Sequence, residues 1–449
     1  MCRVITIDNF ASRALQNTRS LRIHLPPGYR SNGTKRYPVL YVHDGQNLFS
    51  NETAFAGTAW DIHRTADSLI ERNLMRDIII VGIDNTPNRF GEYTYPAAAM
   101  DAEQRAQAQG DGYARFLIDE VIPFVDGRFR TLPVPEHRAV MGSSMGGLIS
   151  LHLALRHPSH FSMAGCLSSA FRWADNYTLA ALRRNEFSHG SRPKIWMDLG
   201  DAEEAPILET REIALELLRQ GWELGKTLGY YEAPGAGHFE VDWARRVHMP
   251  LLFFFGAIGD PVEMTLMGSK QAAIAGMAQW INPVVQTDND VRLTDLTAEI
   301  ESMDPNTLTV DTLGQLQANH LGTCEVKARS HGFETMARYA IAERMDPMLS
   351  VRITVSVPEE TPADQPVYVG LVTQPDFLPL EKLDQKTYTV QTQIPRSMKI
   401  AFAFTRGTRE TMEVVQSSEY GMYRQLAVSE DKAEYRFCVQ QWADIPKVM

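Results

Sequence analysis

The chain is poor in cysteine. Cys2, Cys166, Cys324 and Cys438 are the only four in 449 residues, and no two stand at a CxxC spacing. That excludes a disulfide framework and a cysteine-built zinc site as readings. Cys166 sits in an apolar run and reads as a small buried hydrophobe. Long apolar runs are also missing. The longest, Met249 to Ile258, falls short of the roughly 18 residues a spanning helix needs. The N-terminus, MCRVITIDNFASRAL, carries no long apolar segment, so no signal peptide is expected and the cytoplasm is the default location. Positive charge is in deficit, with 44 Lys and Arg against 55 Asp and Glu, a net −11. This argues against nucleic acid and anionic membrane as partners.

What is present fits a soluble globular chain: 44% apolar and 22% charged residues. Its length exceeds one core, so two to three domains are expected. Up to about residue 258, strands and helices alternate. Leu21 to Leu25, Tyr37 to Val42, Asp77 to Ile83, Met163 to Leu167, Ile195 to Leu199 and Gly229 to Glu232 read as strands. Asp61 to Arg72, Tyr113 to Val125, Leu148 to His157, Ile207 to Gln220 and Trp243 to Phe255 read as helices. The pattern predicts an α/β fold with a mostly parallel sheet. After Gly259-Asp260-Pro261, short alternating runs take over, which predicts all-β sandwiches. Boundaries are placed near 260 and near 349. Arg338 to Asp346 fits a short helix or a strand equally well. Tyr95 to Gly112 is a polar, alanine-rich stretch that reads as a surface excursion, with part of a lid as the other option.

Residues 142 to 146, Gly-Ser-Ser-Met-Gly, follow the apolar run Ala139-Val140-Met141 and precede a helical stretch. A serine on so tight a strand-to-helix turn is held with its hydroxyl exposed, and the glycines remove side chains that would clash. The helix behind it aims N–H groups at the place where an oxyanion forms. A serine nucleophile needs a base, and the base needs an acid to fix its tautomer. His238, in the glycine-rich loop Gly235-Ala-Gly-His238, is the strongest base among the twelve histidines. His152, His157 and His160 read as surface or packing residues. The acid lies in Asp198 to Glu204, at the end of a strand. Asp198 and Glu204 read equally well as solvated or capping groups, and spacing leaves Asp201 and Glu203 both open. Asp44-Gly45-Gln46 follows an earlier strand, where a glycine frees the backbone to present an N–H. Met145 N–H supplies the second donor.

Together these residues resemble the α/β-hydrolase esterase family that holds feruloyl and acetyl-xylan esterases (carbohydrate esterase family one), siderophore esterases, formylglutathione hydrolases and mycolyltransferases. The matching text is Tyr37-Pro-Val-Leu-Tyr-Val-His-Asp-Gly-Gln-Asn-Leu-Phe49, Gly82-Ile-Asp-Asn85 with Arg89, Glu92 and Tyr93, then Gly142 to Gly147, and Gly237-His238 with Trp243. The resemblance covers about residues 15 to 258. It implies Glu203 as the acid and Gln46 as the first oxyanion donor. His43, beside the loop of Gln46, reads as a structural residue, with lining of the substrate pocket as the other option. The resemblance also implies Trp60, Arg89 and Tyr93 as residues around that pocket, with Arg89 and Glu92 as an ion pair in its wall. The activity implied is a serine carboxylesterase using Ser144, His238 and Glu203 on a small-molecule or saccharide ester. No metal or organic cofactor is implied. Acyl transfer to a sugar or lipid alcohol is the alternative within the same chemistry, and a non-catalytic binding scaffold is the alternative outside it.

Weaker likenesses follow. Val310-Asp311, Gly314, Leu316, Gly322-Thr323, Val326, Ala328 and Gly332 look like bacterial immunoglobulin-like repeats, giving a module over 261–349. Val367 to Gly370, Phe402 to Gly407, Glu413, Arg424 and Trp442 with Asp444 are similar to starch- and glycogen-binding modules, giving a module over 350–449. Such modules grip sugar rings with exposed tryptophans. Between Trp280 and Trp442 this chain has none. Phe377 and Arg409 stand where module tryptophans are expected, so polysaccharide binding is in doubt even where the fold is kept.

Overall fold

The computed structural model describes residues 4–97, 99–187, 191–203, 207–371, 376–416, 418–428 and 434–445. The first sheet has eight strands: β1 Val4–Ser12, β2 Asn17–His24, β3 Val39–His43, β4 Ile79–Ile83, β5 Arg138–Ser143, β6 Met163–Leu167, β7 Lys194–Gly200 and β8 Leu228–Ala233. They lie in the order β1-β2-β4-β3-β5-β6-β7-β8. β2 pairs antiparallel with β1 and β4, and every pair from β4 to β8 is parallel. The parallel strands are buried almost throughout. That is why each is a continuous apolar run rather than an alternating one. Side chains still alternate between two cores. Val39 and Tyr41 join one, and Leu40 and Val42 join the other.

Several expected elements are adjusted by local chemistry. β1 was not foreseen, because Val4–Ser12 mixes polar residues into a half-exposed edge and bulges between Ile7 and Phe10. The expected helix over Tyr113 to Val125 becomes Gly110–Arg115, a π-helical turn Phe116–Val121, and Ile122–Arg128. Pro123 has no N–H to give the preceding turn, which explains the break. The helix expected from Trp243 to Phe255 is two, Glu240–Arg246 and His248–Phe255. The 95–112 stretch carries an exposed helix, Ala102–Gln107, capped by Asp101 and Gln104.

From Pro261 the described residues form strands in five smaller sheets. The undecided 338–346 stretch is strand, within Phe333–Met345. The next strand, Met348–Ser356, belongs to a different sheet and a different core. The alternating run Val367 to Val372 reads as a strand in sequence; Val372 itself lies outside the described residues. The three-stranded sheet of Pro261–Met267, Asn282–Thr287 and Arg292–Thr294 covers the β8 edge of the first sheet. Thr294 Oγ1 accepts the Glu232 N–H at 2.9 Å, and Asn282 Nδ2 donates to the Glu232 carbonyl at 2.9 Å. Capping an edge this way removes unpaired backbone groups.

A buried ion pair pins the same junction. Arg211 donates to both Glu232 oxygens at 2.8 and 2.7 Å and to the carbonyls of Leu313 and Ile281. The two side chains are 1% and 2% exposed. Arg211→Ala leaves the Glu232 carboxylate buried and unpaired, an expected loss of roughly 3–5 kcal/mol. Urea denaturation checks this; a midpoint equal to wild type would mean the pair contributes nothing to stability.

Candidate active site

Four strand ends of the parallel sheet converge on one cavity. β3 runs into the loop of Asp44 to Asn47, β5 into Ser144, β7 into Glu203 and β8 into His238. This is where ligands sit in open parallel sheets. Ser144 has φ 57° and ψ −122° and heads the helix Met145–Arg156. A non-glycine residue holds so unfavourable a conformation only when its surroundings fix it. Here the Ser144 N–H donates to the Leu167 carbonyl at 2.9 Å, and Ala170 N–H donates to the Ser144 carbonyl at 3.1 Å. Gly142 must lack a side chain, since a Cβ there would lie 2.7 Å from the Gly146 carbonyl carbon.

Ser144, Glu203 and His238 all line a cavity of about 600 Å³. His238 Nδ1 lies 2.9 Å from Glu203 Oε2, which leaves Nε2 as the ring nitrogen available to a hydroxyl. No hydrogen bond joins that ring to Ser144 among the described residues. Nucleophile–base contacts commonly tighten only around a reacting carbonyl.

The Glu203 side chain is fully buried and well supplied with donors. Gly200 N–H donates at 2.7 Å and Ser168 Oγ at 2.5 Å, and Arg246 stands 3.7 Å away. Burial alone would raise its pKa, but the hydrogen bond and charge of His238, then Arg246 and Ser168, hold it below the usual carboxylate range. Glu203 therefore stays ionised and fixes the imidazole. Asp201 does not reach His238; it accepts the Gly235 N–H at 2.5 Å and braces that turn. Glu204 lies outside the described residues.

Behind the acid sits a group that sequence reading missed. Ser168 Oγ accepts from Arg246 Nη2 at 2.7 Å and from Trp243 Nε1 at 2.8 Å while donating to Glu203. Asp198 is neither solvated nor a cap. It is fully buried between Arg246 Nε at 2.7 Å and Trp196 Nε1 at 2.7 Å, and burial pushes its carboxyl up against the pull of Arg246. The one sequence signal was an arginine set just before the apolar run that begins at Met249.

The remaining candidates separate by depth. Gln46 lines the cavity, in a short 3-10 turn Gly45–Asn47. Met145 is the first residue of its helix, so its N–H has no partner within that helix. Arg89 lines the cavity wall, whereas His43, Trp60 and Tyr93 lie buried beneath it. His43 bonds the Tyr113 hydroxyl at 2.8 Å, and burial pushes its pKa down to about 3. Trp60 packs on Trp243 with ring centres 5.6 Å apart. The expected Arg89–Glu92 pair does not form. Arg89 instead grips Asp44 at 2.7 and 2.8 Å, and Glu92 pairs with Arg19 at 2.9 Å on β2. Burial opposes ionisation of Asp44, but Arg89 outweighs it and keeps the carboxyl low. That pair fixes the loop carrying Gln46. Among the other histidines, His152 is buried against Thr178 rather than at the surface. None of the described residues of the 95–112 excursion lines the cavity.

With the geometry in place, the chain can be set beside known proteins. An uncharacterised protein of Bacillus subtilis is 26% identical over 216 residues, 48% of this chain and 80% of the relative. An endo-1,4-beta-xylanase/feruloyl esterase of Xylanibacter ruminicola is 30% identical over 171 residues, 35% of this chain and 20% of the relative. A solved ferulic acid esterase aligns at 20% identity with a TM-score of 0.46, over 57% of this chain and 98% of that one. The Esterase family model matches residues 12–247, more than half of the chain. The chain belongs to the Esterase family and is a carboxylic ester hydrolase of the α/β-hydrolase fold.

Proposed function

We propose that the chain is a serine carboxylesterase working through Ser144, His238 and Glu203. His238 Nε2 takes the Ser144 proton as Oγ attacks the ester carbonyl carbon. The imidazolium that forms is stabilised by ionised Glu203 at Nδ1. The N–H groups of Gln46 and Met145 hold the tetrahedral oxyanion. His238 then protonates the leaving alcohol, and water activated by the same ring releases the acid from the acyl-enzyme. The observation that carries this reading is Ser144 at φ 57°, in one cavity with an imidazole already oriented by a buried carboxylate.

A cavity of this size suits a drug-sized ester. The aromatic side chains Phe55, Phe90, Phe171, Phe239 and Trp243 in its wall favour esters with a flat or bulky apolar group, such as feruloyl-type acids, on a saccharide or small alcohol. The same reading takes 261–349 as an immunoglobulin-like module and 350–449 as a module resembling starch-binding domains.

The test is a panel of p-nitrophenyl and feruloyl esters, assayed with and without alcohol acceptors. Hydrolysis with free acid as the main product is expected. Acyl transfer to the added alcohol as the main product would replace hydrolase by transferase, and no turnover of any ester would remove the activity.

A further inference from the structure

We propose, resting on the esterase reading above, that the C-terminal β-sandwich is a working part of the active site. Lys399 is the residue through which it holds the His238 loop and meets the ester. Lys399 opens the strand Lys399–Thr405, between Met398 and Ile400, which belong to the sandwich core and also border the cavity. Its own side chain is only 12% exposed and lines the cavity that holds Ser144 and His238.

Three contacts tie it to the catalytic loops. The Lys399 N–H donates to the carbonyl of Ala202, the neighbour of Glu203, at 2.9 Å. Its stem lies against Gly237, where a Cβ would come within 3.2 Å of Lys399 Cδ. Its Nζ is 3.4 Å from Asp242 Oδ2, the oxygen that accepts the Gly237 N–H at 2.9 Å. Gly237 directly precedes His238. Tyr420 reaches the same carboxylate at 3.5 Å and packs edge-on to Phe239, ring centres 5.2 Å apart.

The seam extends to the loop beyond Gln46. Met422 N–H donates to the Ala56 carbonyl at 3.2 Å, and Thr58 Oγ1 donates to the Glu419 carbonyl at 3.1 Å. Gly421 sits at φ 65°, and a Cβ there would collide with the Ala56 carbonyl. Apolar Ala56, Phe239, Ala401, Ala403, Tyr420 and Tyr423 pack together across the seam. A module swinging on a linker would expose that patch to water. Docked, it fixes the backbone on either side of His238, where a displacement of about 1 Å costs about 100-fold in rate.

The experiment uses the full chain and compares wild type, Lys399→Ala, Lys399→Arg, Tyr420→Phe and a remote sandwich control, Arg436→Ala. Each is assayed on p-nitrophenyl acetate and octanoate, with melting temperature and fluorophosphonate labelling rate measured alongside. Lys399→Ala is expected to lower kcat roughly 10- to 100-fold and to change the octanoate-to-acetate KM ratio. Lys399→Arg should recover most of kcat. Tyr420, which does not line the main cavity, should affect kcat and leave KM alone. Arg436→Ala should match wild type. Wild-type kcat and KM ratio in both Lys399→Ala and Tyr420→Phe, with an active parent, would overturn the proposal. So would a loss in Lys399→Ala that tracks a fall in melting temperature and is not recovered by arginine. A parent inert to both esters and to the probe would instead overturn the esterase reading, and this proposal with it.

Discussion

Ser144→Ala is expected to leave the fold intact and lower kcat by roughly 10³- to 10⁶-fold. The loss is large because the hydroxyl is the attacking atom of the proposed mechanism, and no other serine described in the cavity takes its place without rebuilding the geometry. Ser143 lies one residue earlier, inside β5. Ser168 is already committed to Glu203, Arg246 and Trp243. Ser169 follows it with a buried hydroxyl. The proposed oxyanion donors are backbone groups and survive the substitution, so a small residual rate over water is expected. Alanine at φ 57° remains strained, but it keeps the Leu167 and Ala170 backbone bonds. The melting temperature should therefore stay near wild type. Assays on p-nitrophenyl acetate and butyrate decide it, and equal rates in both proteins would take Ser144 out of the mechanism.

Glu203→Gln is expected to lower kcat by roughly 10³- to 10⁴-fold, and Asp201→Asn to leave it near wild type. The two acids stand two residues apart, yet their surroundings differ. Glu203 contacts His238 Nδ1 and is surrounded by donors that need a negative acceptor. An amide there turns N–H groups towards donors and favours the wrong imidazole tautomer. Asp201 holds only a turn, through Gly235 N–H, and asparagine keeps that acceptor oxygen. Steady-state kinetics on one ester compares them. A larger loss in Asp201→Asn would reassign the acid.

Apart from the edge strand β1, the parallel-sheet fold up to residue 256 was legible because a buried parallel sheet demands long apolar runs, and these stand out from helices of period 3.6. Gly142 to Gly147 marked the tight turn at Ser144 because only glycine fits at 142 beside Gly146. Three of the hidden features of the site share one cause: partner choice between charged side chains distant in the chain. Arg89 and Glu92, three residues apart, look like a helical pair. The turn carrying them is one short helix, Arg89–Glu92, and each end faces a different neighbour, Asp44 or Arg19. Asp198 looked solvated because its partner, Arg246, is 48 residues away. The choice of Glu203 over Asp201 needed family resemblance for the same reason, since two acids in one loop carry no local signal of which way they turn. The contacts of Lys399 and Tyr420 with Ala202, Gly237 and Phe239 were equally silent, because nothing local to either residue points to those neighbours.

One measurement bears most directly on the central claim. The full chain is treated with a fluorophosphonate, which reacts preferentially with an activated serine, and the adduct is located by peptide mass spectrometry. A single adduct on Ser144 is predicted, absent in Ser144→Ala and slowed in Glu203→Gln. No adduct, or an adduct on Ser143, Ser168 or Ser169 instead, would contradict the account.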